Sequence, residues 1–346
     1  MTPSITVAIC SLNGARRLPE TLRALYSQIS PETDVLVVDD GSTDSTCDVA
    51  KSFGARTVRH ERNLGYGHAR QTALENCHTD ILAFIDDECV IANDWFQTLL
   101  LDWSNMGPGV VSLAGPILLL NDGLASAFLS RNNPFTPVRS FNHASKILFQ
   151  RITRYLWPKY DMSSGFVESA GNGNLSFRRV DLEKIGGYQV NMNLGNEDED
   201  VCKRLRERFG RECIWFDSEL RVDHASVNTW RSVLARSFKY GRTSAIDWRL
   251  SGGVPTYLPI PIIFLMVSAI AYVFLSWKTS MLVILGAFVF LNIPHVRRSG
   301  VSVTSIVLDP VFRIVIELFH NVGFVWTLVP HSCRQDVVHV ELSNPN

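Results

Sequence analysis

Three short stretches of this sequence gather carboxylates where chemistry is possible. Asp34–Asp48 reads DVLVVDDGSTDSTCD, Ile81–Glu88 reads ILAFIDDE, and Gly195–Val201 reads GNEDEDV. In the first, a buried strand stops at Asp39 and Asp40, whose carboxylates can accept hydrogen bonds from a base or a ribose, although Ser42 and Asp44 also suit a helix N-cap. In the second, Asp86, Asp87 and Glu88 repel one another unless a cation joins them, and hard oxygen donors suit Mg²⁺ or Mn²⁺. The third opens a helix: Val201, Leu205 and Phe209 recur at helical spacing, and Gly210 is a stop signal. Its acids lie in the first turn and Lys203, Arg204, Arg206 and Arg208 in later ones, a gradient the helix dipole favours without any function. The same dipole would keep an acid there ionised, as a general base must be.

The elements that must position these acids alternate. Apolar, β-branched runs at Ile5–Cys10, Asp34–Asp40, Ala55–His60 and Asp80–Asp87 read as strands. Helical patterns lie near Arg17–Ile29, Thr43–Phe53 and Gly65–Cys77, with another after Asn93. This alternation predicts an α/β domain, a mostly parallel sheet covered on both faces, with ligands beyond the carboxyl ends of its strands. A further strand is expected at Asn174–Phe177 and a turn at Gly186-Gly187. Neither a P-loop nor G-x-G-x-x-G follows any strand, so those nucleotide cradles are excluded, as is the glycine-rich basic loop of a nucleotidyltransferase. A metal gripping a diphosphate would do the same work.

Taken in order, SLN, VVDDGSTD, RNLGYGHAR, FIDDE, GNGNLSFRR, GGY, NEDEDVCKRL and a later His resemble the inverting family 2 glycosyltransferases of the GT-A fold, over roughly Ile5 to His224. The resemblance implies a Rossmann-like catalytic domain that takes a nucleotide-diphosphate sugar as donor. It places Asp40, with Asp39 beside it, against the nucleotide base. Ser11 and Asn13, at the family's T-x-N position, and Arg70 would line the same pocket. The D-x-D metal motif maps onto Asp86, Asp87 and Glu88, with Asp86 on the nucleotide side and either Asp87 or Glu88 reaching the metal. The E-D-x-D motif maps onto Glu197, Asp198 and Asp200, which makes Asp198 the catalytic base and leaves Glu197 and Asp200 in support. His224 fits a position that helps bind metal or diphosphate in some members; otherwise a lone His is structural. In such a reaction the base takes a proton from an acceptor hydroxyl while the metal offsets charge on the departing diphosphate, and one displacement inverts the anomeric carbon.

The remainder of the 346-residue chain bounds the setting. A net charge of −1 argues against a nucleic-acid partner. Seven cysteines without a C-x-x-C pair suggest neither a zinc cluster nor a disulfide framework. The N-terminus reads as a first strand and not as a signal peptide. Residues 141–160, basic and aromatic, suit either core packing or a membrane-surface helix. Leu258–Trp277 lacks any charge and is long enough to cross a bilayer, and Met281–Ile293 follows after Lys278, so residues 258–293 read as a helical hairpin, in a membrane or in a core. Arginines and lysines on both flanks place the catalytic domain on the cytoplasmic side of the cell's inner membrane. In residues 303–329, Asp309, Arg313 and Glu317 fall at four-residue intervals, as in an interfacial helix or a membrane helix with its polar face inward.

These readings divide the chain into a GT-A domain over 1–250 and an α-helical membrane region over 251–346. The processive Q-x-x-R-W motif is missing from NTWRSVLARSFKYGR, which argues for transfer of a single sugar to a lipid-linked or envelope-glycan acceptor. A polyprenyl-phosphate sugar synthase and an inactive membrane scaffold that binds a partner glycosyltransferase are the alternatives. Retained strand-end carboxylates count against the scaffold.

Overall fold

The computed structural model describes residues 2–119, 123–131, 135–137, 162–190, 197–224, 229–251, 260–296 and 303–329. The expected basic run at 141–160, the start of the hairpin and the Arg297-Arg298 flank lie outside the described residues. The chain divides into two compact units, Met1–Ala144 with Pro158–Asn228, and Ser145–Trp157 with Thr229–Asn346.

In the first unit the strands are β1 (Ile5–Ser11), β2 (Asp34–Asp39), β3 (Arg56–Arg59), β4 (Ile81–Asp86), β5 (Cys89–Ile91), β6 (Ser112–Ala114), β7 (Ile117–Leu119), β8 (Gly165–Phe166), β9 (Asn174–Arg178), β10 (Ile214–Phe216) and β11 (Val222–His224). Its helices are α1 (Leu18–Tyr26), α2 (Thr46–Ser52), α3 (Tyr66–Glu75), α4 (Trp95–Asn105), α5 (Leu124–Arg131), α6 (Arg179–Lys184) and α7 (Glu197–Phe209). Among the described residues eight strands form one sheet in the order β3-β2-β1-β4-β9-β6-β10-β8, and β5-β11-β7 form a second. The pairs β3–β2, β2–β1, β1–β4 and β6–β10 are parallel; β9 runs antiparallel to both β4 and β6. The α/β expectation therefore holds, with antiparallel pairs beyond the first four strands.

Alternation along the strands builds a core on each face. Val7 and Ile9, Val35 and Val37, and Ala83 and Ile85 pack with Leu18, Leu22 and Leu25 of α1 and with Trp95, Leu99 and Trp103 of α4. Ala8, Leu36, Val38, Leu82 and Phe84 point the other way, onto Ala69 and Ala73 of α3 and Val201, Cys202 and Leu205 of α7. Each such aliphatic chain contributes about 1.5–3 kcal/mol. The two tryptophans of α4 also donate indole N–H groups to β9, Trp95 to Asn174 Oδ1 at 2.9 Å and Trp103 to Ser176 Oγ at 2.9 Å. The central strands are thereby fixed in register: Ser11 lies beside Asp39, and Cys10 beside Asp86. Both acid-bearing strand ends, those of β2 and β4, thus flank the end of β1, and the strand order reverses between β1 and β4, where such sheets open a crevice.

The second unit holds α8 (Trp230–Ser251), α9 (Ile260–Phe274), α10 (Trp277–Val296) and α11 (Val303–Leu328). Its boundary at Thr229 precedes the expected one at 250 because α8 packs along α11: Trp230 stacks on Phe312 at 4.1 Å, and Ser237 Oγ donates to Ile316 O at 2.6 Å. Gly241 lies against the His320 carbonyl and Gly323 against the Phe238 carbonyl, so the two backbones touch. The α9–α10 hairpin forms as expected and is stitched by Ser268 and Ser280 hydroxyls at 2.8 Å. Among the described residues, however, the stretch long and apolar enough to cross a membrane is Val307–Leu328, while Ile263–Phe274 and Trp277–Val289 are shorter. Asp309 and Glu317 are buried, so the polar stripe of α11 faces inward within this unit.

Candidate active site

The β2 end is closed on itself. Asp39 is fully buried, accepts the Ser42 N–H at 2.8 Å and ion-pairs with Arg59 Nε at 3.4 Å. Asp40, also buried, accepts the N–H groups of Leu64 and Gly65 at 2.9 and 2.8 Å and meets His60 Nδ1 at 2.7 Å. Both carboxylates hold turns together. Asn13, with a φ of 52° that Asn tolerates better than most residues, clamps the neighbouring loops: its N–H donates to Ser42 Oγ at 2.9 Å and its Oδ1 accepts from the Thr43 N–H at 2.8 Å.

The β4 end is built differently. Asp87, expected on the metal, turns toward β1 and α1. Its Oδ2 accepts from Ser11 Oγ at 2.5 Å and from Arg17 Nη2 at 3.0 Å. Gly14 is obligatory there, because a Cβ would run into Ser11 Oγ and Asp87 Oδ2. Asp86, expected on the nucleotide side, is the residue that meets His224: one ligand atom each from Asp86, Cys89 and His224 lie within 4.8 Å of one another. Glu88 reaches the same imidazole, with Oε1 3.2 Å from His224 Nε2, and its other oxygen lies 3.8 Å from Arg17 Nε. The physical reason is the two-residue turn at Asp87-Glu88, which sends consecutive side chains to opposite sides before β5 pairs with β11. Burial raises the Asp86 carboxyl, Asp87 and Glu88 add repulsion, and Arg70 and His224 oppose them.

Arg70, expected to line a nucleotide pocket, is 6% exposed and joins two motifs, pairing with Glu197 of α7 and with Asp86 Oδ1 at 3.4 Å. Glu197, 5% exposed, is therefore the inward-facing acid of the run. Asp200 pairs with Arg204 at 2.6 Å, and Arg204 Nη1 donates to Ile185 O at 2.8 Å, which anchors α7 to the turn after α6. Asp198 stays partly exposed, and its Oδ1 accepts the Glu199 N–H at 2.9 Å. The helix dipole was expected to hold it ionised; burial first, and then the Glu197 charge, work the other way and raise its carboxyl to about 7. An acid poised there at neutral pH can still take a proton, and it is better matched to that task than a strongly acidic one.

Between Asp86 and Asp198 runs the backbone of Gly171, Asn172 and Gly173. A Cβ on Gly173 would lie 2.6 Å from Asp86 Oδ2, and one on Gly171 3.9 Å from Asp198 Oδ2. Tyr188 donates its hydroxyl to Asn172 Oδ1 at 2.8 Å and holds this segment from below. The role of these glycines was legible only as the G-N-G repeat; Arg17 and Cys89 carried no sequence signal.

A family model described as glycosyl transferase family 2 matches residues 6–125, which contain Ser11, Arg70 and the whole β4 cluster. The chain carries a glycosyltransferase family 2 domain. It is 30% identical over 247 residues to a pre-mycofactocin glycosyltransferase of Mycobacterium tuberculosis, an alignment covering 70% of this chain and 47% of that protein. The chain thus spans about half the length of that relative. A glucosyl-dolichyl phosphate glucuronosyltransferase of Haloferax volcanii is 23% identical over 240 residues, 65% of this chain and 69% of that one. Among solved structures, a mannosyltransferase from Pyrobaculum calidifontis in complex with GDP-Man and Mn²⁺ superposes with a TM-score of 0.58 at 16% identity, covering 95% of this chain and 88% of that one. The family 2 domain therefore has the GT-A fold.

Proposed function

We propose that the protein is a metal-dependent, inverting glycosyltransferase that moves one sugar from a nucleotide-diphosphate donor to a hydroxyl of a lipid-linked or envelope-glycan acceptor. The observation that carries this reading is the Gly171–Gly173 backbone, flanked by Asp86 with its imidazole partner on one side and by Asp198 on the other. A cation at one end of this short segment and a base at the other would face the donor sugar from its two sides.

The residues fit a divalent cation. Asp86, Glu88 and His224 offer carboxylate oxygens and an imidazole nitrogen, a donor set that Mn²⁺ or Mg²⁺ accepts, and Gly173 leaves Asp86 Oδ2 uncovered. When bound, the cation offsets negative charge on the leaving diphosphate. The protein's own part is positional. Arg70 ties Asp86 to α7, burial and the Glu197 charge raise the proton affinity of Asp198, and Asp198 accepts the acceptor's proton. Asp39, Asp40, Ser11 and Asn13 shape the β1 and β2 loops on the donor's nucleotide side.

A membrane setting for the acceptor is supported by Val307–Leu328 and by the exposed apolar side chains of α9 and α10, such as Phe274 and Leu282. The basic flanks of that region favour a cytoplasmic catalytic unit at the inner membrane. The name of the Haloferax volcanii relative, with its dolichyl phosphate, points to the same acceptor class. Thermal-shift screening of nucleotide sugars with Mn²⁺ tests the donor, since a ligand that binds only the folded state raises Tm by mass action. Asp198→Asn tests the base: transfer is expected to fall about 10²–10⁴-fold with donor binding retained. Unchanged transfer in that variant, with no nucleotide sugar stabilising the parent, would sink the reading.

A further inference from the structure

We propose that the cation site at the end of β4 takes a sulfur ligand from Cys89, and that it therefore prefers borderline-soft divalent ions such as Co²⁺ and Zn²⁺ to Mg²⁺. This rests on the proposed metal dependence and names the ion class of that same site.

The geometry comes from strand pairing. Cys89 opens β5 and His224 closes β11, and the two are direct antiparallel partners. Residues opposite one another in such a ladder carry their side chains on the same face, about 4.5–5.5 Å apart at Cβ. Both residues are buried, at 0% and 3% exposure. Asp86, at the last position of β4, brings a carboxylate oxygen to the same point, so that sulfur, nitrogen and oxygen donors converge within 4.8 Å. Ligand atoms on a tetrahedral ion with bonds of about 2.0–2.3 Å are separated by roughly 3.3–3.8 Å, so contraction by about one ångström closes the site.

The surroundings suit a held ion. Arg70 engages Asp86 through Oδ1, and Gly173 leaves Oδ2 accessible. Glu88, 3.2 Å from His224 Nε2, either orients the imidazole or exchanges with it as a further oxygen donor. Phe135 stacks on the His224 ring at 5.5 Å and fixes its plane. Only the ion is new to this arrangement. As the sulfur–metal bond forms, the thiol proton leaves to solvent and no electron changes hands. Thiolate ligation favours softer ions, whereas Mg²⁺ prefers oxygen donors and resists losing its water.

The test is a titration of the full chain, stripped with chelator, using Co²⁺ alone. The expected result is a thiolate-to-cobalt charge-transfer band in the near ultraviolet, absent in Cys89→Ser and still present in Cys47→Ser, a control at a buried cysteine outside the cluster. In thermal shift, Co²⁺ and Zn²⁺ are expected to stabilise the parent more than Mg²⁺ does, with that preference falling at least tenfold in apparent affinity in Cys89→Ser. Co²⁺ binding without the band, or with the band unchanged in Cys89→Ser, overturns the sulfur ligand and leaves metal dependence standing. Calorimetry that finds no binding of Co²⁺, Zn²⁺ or Mn²⁺ by the parent overturns the metal dependence itself. Because the band is read first in the parent, the outcome does not depend on a variant that folds poorly.

Discussion

Strands β2 and β4 end in the same two letters, Asp-Asp, and flank the same central strand, yet the protein uses them in opposite ways. At the β2 end Asp40 is held by two backbone N–H groups and His60, and Asp39 by the Ser42 N–H and an ion pair with Arg59. At the β4 end the first carboxylate keeps an oxygen beside Gly173, stands next to two further acids, and has its proton affinity raised. The difference lies in the second oxygen: at the β4 end it faces other acids and an imidazole, and at the β2 end it is taken up by turns and a basic partner. Hydrogen-bonded acids at such a position are structure.

That contrast can be broken in four ways. Asp86→Ala is expected to lower sugar transfer by about 10³-fold, the several kcal/mol that a cation contributes, while Tm stays within a few degrees. Asp40→Ala reverses the pattern: it strands two half-buried N–H donors, costs about 1–3 kcal/mol, and shows in chemical denaturation before it shows in turnover. Equal losses of activity and stability in the two variants would remove the distinction. Gly173→Ala forces a methyl against Asp86 Oδ2 at 2.6 Å and should cost about 1–3 kcal/mol along with metal affinity. Gly109→Ala, where nothing lies within 4 Å, should fall within about 0.5 kcal/mol of the parent.

The smallest expected effect is on pH dependence. A base must be ionised, and Asp198 titrates near 7, so kcat/KM should fall toward lower pH through an inflection near that value. Glu197→Gln removes a charge that raises Asp198, so the inflection should move to lower pH. An inflection that stays in place would show that Glu197 does not set it.

Much of this arrangement was legible from the chain. Val7, Ile9, Val35 and Val37 announce buried parallel strands by composition, and Val201, Leu205 and Gly210 announce the acidic helix by period. What escaped was pairing at long range. Arg70 and Glu197 are 127 positions apart, and no local pattern links a helical arginine to one particular acid of four. Cys89 looked like a core cysteine until β11 brought His224 opposite it. The directions in which Asp86 and Asp87 turn were hidden for another reason: adjacent residues face opposite ways, and the sequence does not say at which residue the strand gives way to the turn. The hairpin was visible, but whether α11 lies in an interface or turns its polar face inward was left open by its charges; in the structure Asp309 and Glu317 are buried within the unit, and among the described residues α11 holds the stretch long and apolar enough to cross a membrane.

The contact of α8 with α11 at Gly241 and Gly323 has a consequence of its own. Each glycine lets the other helix's carbonyl approach where any side chain would block it. Two such notches, cut into opposite members of the pair, work as a key and its wards. Adding a single residue to α11 between His320 and Gly323 would turn everything beyond it by about 100° and advance it about 1.5 Å. One notch would then face a side chain while the other still fitted. The helices could neither slip to a neighbouring register nor stay closed, so this pair has one setting or none.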